Sequence, residues 1–521
     1  MNKIILLFLI TVSIFANDVN IKKEKTDKKE SIMSEELLKG ENLKLNSEIL
    51  KYISIEGYFR TLMNYRSNYD LDSFYIENDV VVGSSRHKPT ISEFKAGKAS
   101  GDSTVSYNTR FRFSPNIIVG EYLRAVATID IFDNKLLGDN TQSLLFAKEV
   151  YFEGTTPLGL FSIGRMATNW GLGLYRNSGK SKFSNYGTYI DQIQFKTKGL
   201  LSFMPNLSFK LAYEIQDSNA SSSNLFGNSE SFAYDIEDED DYVGFSFYIE
   251  DKLEGEELDE YLSKNSMRLN FGLFLARSWK DKITVINNDT VSAGTSKLSY
   301  EDSSLDYYTV DGFFELFIAK DYSIKGEVVY LTGENEENKS FSQWGAALQT
   351  NMYFLTNTLN VGLDAGIASG DTSDDRDPYT IGGSQSKKDD FTFNLDFDVD
   401  LIFFKEISLL SGLYYIRPHI KWLATKNISL ELWSVTSMAL NESQTYGRDK
   451  YLGTEIDMSL EYLNRDGLNF GLRSGVYLPG KGMDYLGTDG KRTSTTSGDI
   501  QTKDLSAELA YTIQLFLIMK F

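Results

Sequence analysis

The chain has 521 residues, of which 41% are hydrophobic and 13% aromatic, and its formal net charge is −20. The absence of cysteine excludes a disulfide framework, thiolate metal sites and a lipoprotein anchor. The acidic excess argues against a nucleic-acid partner, because proteins that bind nucleic acids present basic surfaces.

The N-terminus predicts a secretory signal peptide. Lys3 precedes an apolar run that ends at Ile10, and the small residue Ala16 offers a cleavage site. We therefore assign residues 1–16 to a signal peptide. Residues 17–52 are rich in Lys and Glu, which predicts a solvated, charged periplasmic linker without a binding role.

From residue 53 onward, segments of about ten residues with alternating polarity predominate. In the clearest of them, apolar and polar side chains alternate from Val105 to Phe113. Beyond the N-terminus nothing approaches the roughly 18 consecutive apolar residues that a membrane helix needs. Because a closed barrel is the other structure that satisfies its backbone in lipid, we predict that residues 53–521 form a transmembrane antiparallel β-barrel.

Eighteen segments are predicted to be strands. In chain order they span residues 53–65, 105–113, 117–132, 145–153, 160–170, 188–196, 207–215, 242–250, 267–279, 307–318, 322–331, 342–355, 359–369, 412–423, 428–438, 451–463, 468–478 and 505–521. An even number is what a closed antiparallel bacterial barrel requires. The predicted fold class is therefore all-β, with about 18 strands.

The connections between these segments alternate between short and long, as periplasmic turns and external loops do in such barrels. A short turn is predicted at residues 114–116, and residues 280–306 are predicted to be a long external loop. The connection 251–266 is long where a short turn is expected. We therefore predict a small periplasmic helix there.

One more segment, residues 391–404 (FTFNLDFDVDLIFF), also has the pattern of a strand. Counting it as membrane-spanning would give nineteen strands and would place the long connection 479–504 on the periplasmic side. We therefore assign it to an external loop that spans residues 370–411.

The last segment alternates apolar residues up to the terminal Phe521. It resembles the C-terminal strand of bacterial outer-membrane barrels, which the barrel-assembly machinery recognises. The alternative is the edge strand of a soluble sandwich, although soluble folds avoid long apolar edges. We predict a location in the bacterial outer membrane, with lipid, lipopolysaccharide and the assembly machinery as partners.

The inward-facing positions carry charges of both signs. The predicted pore-lining residues are Arg60, Arg110, Arg112 and Arg124 on the early strands and Glu455, Asp457 and Glu461 on the later ones. A basic wall facing an acidic wall would set up a transverse field across a wet lumen. The alternative is that these charges pair across a solvated or plugged interior.

The loop 370–411 is the predicted constriction. Asn394, Asp396, Asp398 and Asp400 occupy one edge of an extended segment whose other edge is apolar, and folding inward would line the pore with negative charge. The alternatives are a hairpin raised above the membrane, or Ca²⁺ bridging of surface polysaccharide by an acidic cluster. Asp371, Asp374 and Asp375 are the candidate Ca²⁺ ligands in that cluster.

The sequence offers little for catalysis. It contains only two histidines, His87 and His419, so neither a metal cluster nor a Ser-His pair can be assembled. We predict no enzymatic activity, and no cofactor other than Ca²⁺ at the external acidic loops. The glycines of residues 164–175 (GRMATNWGLGLY) suit close backbone approach within a strand, and Trp170 suits an aromatic girdle at the membrane interface.

Four blocks of sequence resemble those of a group of largely uncharacterised outer-membrane β-barrels typical of myxobacteria and related lineages. They are GRMATNWGLGL, ASGDTSDD, FDVDLIFFKEI with YYIRPHIKW, and LGTEIDMSLEY with GLRSGVYLPG. They are similar, more distantly, to alginate-export porins. The resemblance covers residues 145–521 and implies a large channel-like barrel with an external acidic loop. It carries over no catalytic or ligand-binding residue.

These observations together predict an outer-membrane porin-like channel. We expect it to let small hydrophilic solutes diffuse passively through a lumen of about 18 strands, which is wide enough for an aqueous passage. The alternative is a non-conducting surface barrel that acts as a structural protein or an adhesin.

Overall fold

The computed structural model describes residues 53–69, 71, 74–77, 80–83, 103–120, 122–136, 145–199, 201–217, 241–291, 295–334, 340–355, 357–370, 389–408, 411–445, 447–464, 467–484 and 506–521. The predicted signal peptide and linker (residues 1–52), His87 and the candidate Ca²⁺ ligands Asp371, Asp374 and Asp375 lie outside the described residues.

Eighteen antiparallel strands form a closed barrel. They are β1 (Ile53–Ser67), β4 (Ser103–Val119), β5 (Leu123–Leu136), β6 (Leu145–Thr156), β7 (Gly159–Ala167), β8 (Tyr189–Lys198), β9 (Leu207–Asp217), β10 (Asp241–Asp251), β11 (Met267–Val291), β12 (Thr295–Ile318), β13 (Tyr322–Glu334), β14 (Ser340–Phe354), β15 (Leu359–Ala368), β16 (Leu413–Leu423), β17 (Ile428–Ala439), β18 (Tyr451–Leu463), β19 (Leu468–Pro479) and β20 (Ala510–Lys520). A separate hairpin consists of β2 (Phe74–Glu77) and β3 (Val80–Gly83).

The ring closes because each strand pairs with the next barrel strand in the chain and β20 pairs back onto β1. In the closing pair Tyr58 lies opposite Lys520, and Ser67 lies opposite Tyr511. The prediction of an eighteen-stranded antiparallel barrel is confirmed. Every predicted strand corresponds to one strand of the ring.

Two predicted connections are strands instead. β4 continues through the predicted turn at residues 114–116, and the chain reverses after Val119. Pro115 has no N–H to donate, and the pairing of β4 with β5 skips residues 114 and 115 while keeping one register on either side of them. The predicted loop 280–306 is also wrong, since β11 and β12 continue as a ribbon in which residues 283–291 pair with residues 295–303.

The long connection between β10 and β11 contains the predicted helix, α1 (Gly255–Ser263). Leu262 is the buried side chain of this helix, and its charged residues are exposed. Leu253, just before the helix, is also buried. Among the described residues, no helix is long and apolar enough to span a membrane.

The barrel is apolar outside and polar inside. On β11, Leu269, Leu273 and Leu275 are exposed, whereas the alternating Asn270 and Phe274 are completely buried. Exposed apolar side chains occur in the same way on the other strands, including Val310, Val328, Leu363, Ile416 and Ile456. Lipid covers such a surface, and the molecule is therefore an outer-membrane β-barrel.

Candidate functional site

Two chain segments lie inside the barrel, and we call them the first and second inner segments. The first inner segment (residues 168–188) connects β7 to β8. Arg110 on β4 donates a hydrogen bond to the carbonyl of Ser184 (2.8 Å), and Glu327 on β13 accepts one from the amide of Gly173 (3.0 Å). β4 and β13 are the second and eleventh of eighteen strands around the ring, so they lie on opposite sides. The first inner segment therefore crosses the lumen.

Near its start, the first inner segment is attached to the wall through Glu327. This carboxylate is fully buried and accepts hydrogen bonds from the backbone N–H groups of Leu172, Gly173 and Leu174. Gly171 and Gly173 have φ angles of +51° and +88°. These angles belong to the left-handed region that glycine adopts without strain, and they let successive N–H groups converge on one acceptor.

Trp170 lies inside the barrel, which contradicts its predicted place in an interfacial girdle. Its ring contacts Tyr248, Phe274 and Phe313 edge-on or tilted, with centroid distances of 5.2, 6.1 and 4.9 Å. The predicted strand over residues 160–170 is too long, because β7 ends at Ala167 and the chain then turns inward. The glycines that follow belong to a turn and not to a strand.

Further along, the first inner segment makes charged contacts with the wall. Arg176 forms a bidentate pair with Glu214 on β9, with hydrogen bonds of 2.8 and 2.7 Å. Lys182 pairs with Glu461 on β18. Phe183 lies beneath the guanidinium of Arg473, whose Cζ is 4.2 Å from the ring centroid. The attachment is therefore distributed over several strands.

The second inner segment (residues 389–408) belongs to the connection between β15 and β16. It contains no strand, in agreement with its predicted exclusion from the wall, and it ends in a π-helical turn over Phe403–Ile407. Phe391, Phe393 and Leu401 are buried. The ring of Phe403 stacks on Tyr477 of β19, with centroids 4.9 Å apart.

Glu455 on β18 attaches the second inner segment to the wall. Its Oε1 accepts hydrogen bonds from the amides of Leu401 (2.9 Å) and Ile402 (2.8 Å), and its Oε2 accepts one from Phe403 (2.9 Å). Arg66 of β1 also pairs with the second inner segment, at Glu406, with a distance of 2.7 Å.

The two inner segments also contact each other. The amide of Asn394 donates to the carbonyl of Leu174 (2.7 Å), and Asp396 accepts hydrogen bonds from the amides of Asn185 (2.9 Å) and Tyr186. Burial raises the pKa of Asp396, and these two amides only partly offset that effect. The segments therefore form one continuous structure inside the wall.

The four predicted constriction residues have different surroundings. Asn394 and Asp396 bind the first inner segment, and the buried Asp400 accepts from the amides of Phe404 and Lys405. Burial and the nearby Glu455 raise the pKa of Asp400 well above its usual range. The Asp398 side chain is 45% exposed. Its predicted role at a constriction stays a prediction.

Asp398 lies within reach of two cations. Its carboxylate is 3.3 Å from Lys405 Nζ and 3.5 Å from a terminal nitrogen of Arg473. Burial inside the barrel by itself raises the pKa of Asp398, but the positive charges of Lys405, Arg473 and Arg417 outweigh it, so the net pKa is well below the ordinary value. Asp398 is therefore ionised at neutral pH.

The predicted pore-lining residues are mostly covered. Arg60, Arg110, Arg112, Glu455 and Asp457 are buried. Arg60 and Arg110 donate to backbone carbonyls of the first inner segment, and Arg112 forms a bidentate pair with Asp130. Arg124 pairs with Glu153, while Glu461 is bound to Lys182 and Asn469.

Several charges of opposite sign lie on neighbouring strands of the described interior. Arg417 on β16 is 2.9 Å from Asp364 on β15, and Lys421 on β16 is 3.3 Å from Glu431 on β17. His419 also faces Asp364, at 3.5 Å. In the described part of the chain there is no cluster of three or more His, Asp or Glu side chains that could hold a metal.

A cavity lies between the two inner segments. Its volume is about 500 Å³ when the open space at its mouth is included. Ser181, Phe183 and Ser184 line it from the first inner segment, and residues 393–400, Phe404 and Lys405 line it from the second. Asp398 is thus an ionised and half-exposed side chain beside an open space within the barrel.

Sequence reasoning missed the first inner segment and the role of Glu327, an inward-facing residue, as its partner on the wall. The available signal was the Gly-Leu-Gly sequence at residues 171–173 in a connection on the side of the long loops. Paired glycines there indicate a turn with positive φ. Lys405 was also missed as the partner of Asp398.

Comparisons with known proteins give likenesses at the level of fold. No family model and no curated protein matches the chain. Among solved structures, the outer-membrane channel DcaP of Acinetobacter baumannii is 11% identical, with a TM-score of 0.40, over 90% of this chain and 97% of that one. OccAB3 of Acinetobacter baumannii is 9% identical, with a TM-score of 0.47, over 89% of this chain and 99% of that one. A BenF-like porin from Pseudomonas fluorescens Pf-5 is 9% identical, with a TM-score of 0.45, over 91% of this chain and 99% of that one.

Proposed function

We propose that this barrel is a porin-like channel through which small hydrophilic solutes diffuse passively. The observation that carries the proposal is the combination of a closed eighteen-stranded ring with a charged interior and an open cavity bordered by both inner segments. A barrel of about this size leaves room for water beyond what its own side chains fill.

The proposed passage runs beside Asp398 and not beside Arg110 and Arg112. Both arginines are buried under other groups, whereas Asp398, Lys182 and Lys421 have side chains that are 45%, 31% and 41% exposed. Charges of both signs along one passage allow a solute to exchange water for charged partners without leaving a polar environment.

The direct test is single-channel recording in planar bilayers with the refolded full-length barrel. We expect discrete conductance steps, and liposome swelling with sugars, amino acids and salts should rank the solutes by size and charge. A barrel that is folded by gel mobility and circular dichroism but gives no conductance step would contradict the proposal.

A second candidate is a non-conducting surface barrel that acts as a structural protein or an adhesin. The attachment of the inner segments to opposite walls favours it, because such a structure resembles a plug. Liposomes that retain every solute in the swelling assay would support this candidate. Removal of residues 389–408 would then create a conductance that the intact chain lacks.

A further inference from the structure

We propose that Glu327 and Glu455 are positioning residues, which hold the two inner segments across the lumen and thereby set the width of the passage. This inference rests on the conducting function proposed above and deepens it. The two side chains come from β13 and β18, and each is attached to a different inner segment.

The two attachments share one geometry. Each carboxylate accepts hydrogen bonds from three consecutive backbone amides, residues 172–174 for Glu327 and residues 401–403 for Glu455. Both glutamates are at most 1% exposed. Water cannot easily replace these hydrogen bonds, because they are buried inside the barrel.

Local secondary structure provides these amides with few other acceptors. Residues 172–174 lie in a turn, in which the amide of Gly173 also donates to the carbonyl of Trp170 (2.9 Å). Residues 401–403 precede or begin the π-helical turn, where the first amides have no partner within the helix. A buried amide without an acceptor is costly. Each glutamate therefore stabilises its segment at the point of contact.

The ion pairs of the inner segments constrain them less. Arg66 with Glu406 and Lys182 with Glu461 are pairs of long side chains, partly exposed, that tolerate movement of the backbone. Glu327 and Glu455 instead bind the backbone itself, as Arg60 and Arg110 do at residues 182–185 of the first inner segment. Each glutamate belongs to a strand that is paired on both sides. The two glutamates therefore hold the inner segments in fixed positions relative to the wall.

Hydrogen–deuterium exchange with mass spectrometry on the refolded full-length barrel tests the attachment without reference to conduction. In Glu455→Ala we expect exchange at residues 401–403 to become at least tenfold faster, with residues 172–174 unchanged. Glu327→Ala should give the reverse. Glu250→Ala is the matched control, because Glu250 is a wall glutamate that accepts from the side chains of Lys196 and Ser208.

Two conservative variants, Glu455→Gln and Glu327→Gln, keep one acceptor oxygen and preserve side-chain volume, so they serve if the alanine variants do not fold. They should accelerate exchange at the same amides by a smaller factor. Unchanged exchange at residues 401–403 in folded Glu455→Ala or Glu455→Gln overturns the attachment by Glu455, and the same holds for residues 172–174 and Glu327.

Single-channel recording then tests the link to passage width. If the wild type conducts, Glu455→Ala should show a conductance at least 1.5-fold different from wild type and greater current noise, while Glu250→Ala matches wild type. Faster exchange with an unaltered conductance would show that the attachment does not set the width of the passage. A wild type that never conducts would contradict the proposed function, whereas the exchange result would still decide the attachment.

Discussion

At the scale of single residues, packing gives chemically identical side chains different roles. Asp396, Asp398 and Asp400 alternate along the sequence, but the first binds the backbone of the first inner segment and the last binds the amides of its own turn. Asp398 instead lies within reach of Lys405 and Arg473 and is the most exposed of the three side chains. Sequence spacing alone placed all three on one edge.

Asp398 is the residue whose charge we expect to influence ion selectivity. Replacing Asp398 with Asn should leave Lys405 and Arg473 without a counter-charge and shift the reversal potential in a salt gradient towards anions. The triple replacement of Asp396, Asp398 and Asp400 by Asn should go in the same direction. Asp306→Asn is a suitable control, because Asp306 pairs with Arg277 at an exposed position. Equal reversal potentials in wild type and Asp398→Asn would remove this side chain from the passage.

The pH dependence of this effect follows from the lowered pKa of Asp398. A carboxyl group with a depressed pKa in the folded state stays ionised below its ordinary titration range, and its stabilising charge is lost only as the pH falls through the lower value. The difference in selectivity between wild type and Asp398→Asn should therefore be the same at pH 7 and at about pH 4, where an ordinary aspartate is about half protonated. A difference that falls by about half at that pH would show that the carboxyl titrates normally.

Substitution of Gly171 by alanine tests whether the turn of the first inner segment must approach Glu327 closely. A Cβ added there would lie 2.5 Å from Glu327 Oε2, in addition to the strain of a φ of +51°. Gly120 has a similar φ of +68° and no atom within 4 Å of its added Cβ. In both alanine variants, backbone strain should lower the free energy of unfolding by about 1–2 kcal/mol. Only Gly171→Ala should also accelerate amide exchange at residues 172–174, and equal exchange in the two variants would contradict the close approach.

At the scale of elements, the length of a strand is not always the height of the barrel wall. β10 pairs with β11 up to Trp279, and β13 pairs with β12 up to Asp306, whereas residues 283–291 and 295–303 pair with each other. The long strands therefore combine a stretch of wall with a ribbon beyond it.

Replacing residues 284–302 with a short turn should leave the barrel intact. Since the wall portions of β11 and β12 keep their partners on both sides, we expect the shortened protein to refold with the heat-modifiable gel mobility of the wild type. Its conductance should also match that of wild type. Failure to refold would show that the ribbon contributes to the formation of the wall.

At the scale of the whole molecule, eighteen strands close because the last strand pairs with the first. The same closure supports the count made from the sequence, in which the strand-like residues 391–404 were excluded to keep the number even. Those residues instead combine with residues 168–188 into a structure that spans the interior.

The sequence by itself determined the fold class, the strand number and the identity of the segment that leaves the wall. It could do so because the alternation of apolar and polar side chains is local, and because lipid imposes it on every strand. It also indicated the helix between β10 and β11 from the length of one connection. Strand ends were less well determined, since Pro115 and the polar ribbon of β11 and β12 resemble connections locally.

Only the tertiary structure decided what lies in the lumen. The partners of Glu327 and Glu455 are backbone amides, which every residue except proline carries, so the residue types at these positions give no sign of the attachment. Trp170 moved from a predicted girdle to the interior because the chain turns after Ala167, and Asp398 is exposed because its neighbours are bound elsewhere. These features depend on contacts between residues that are far apart in the chain, and a local pattern does not encode them.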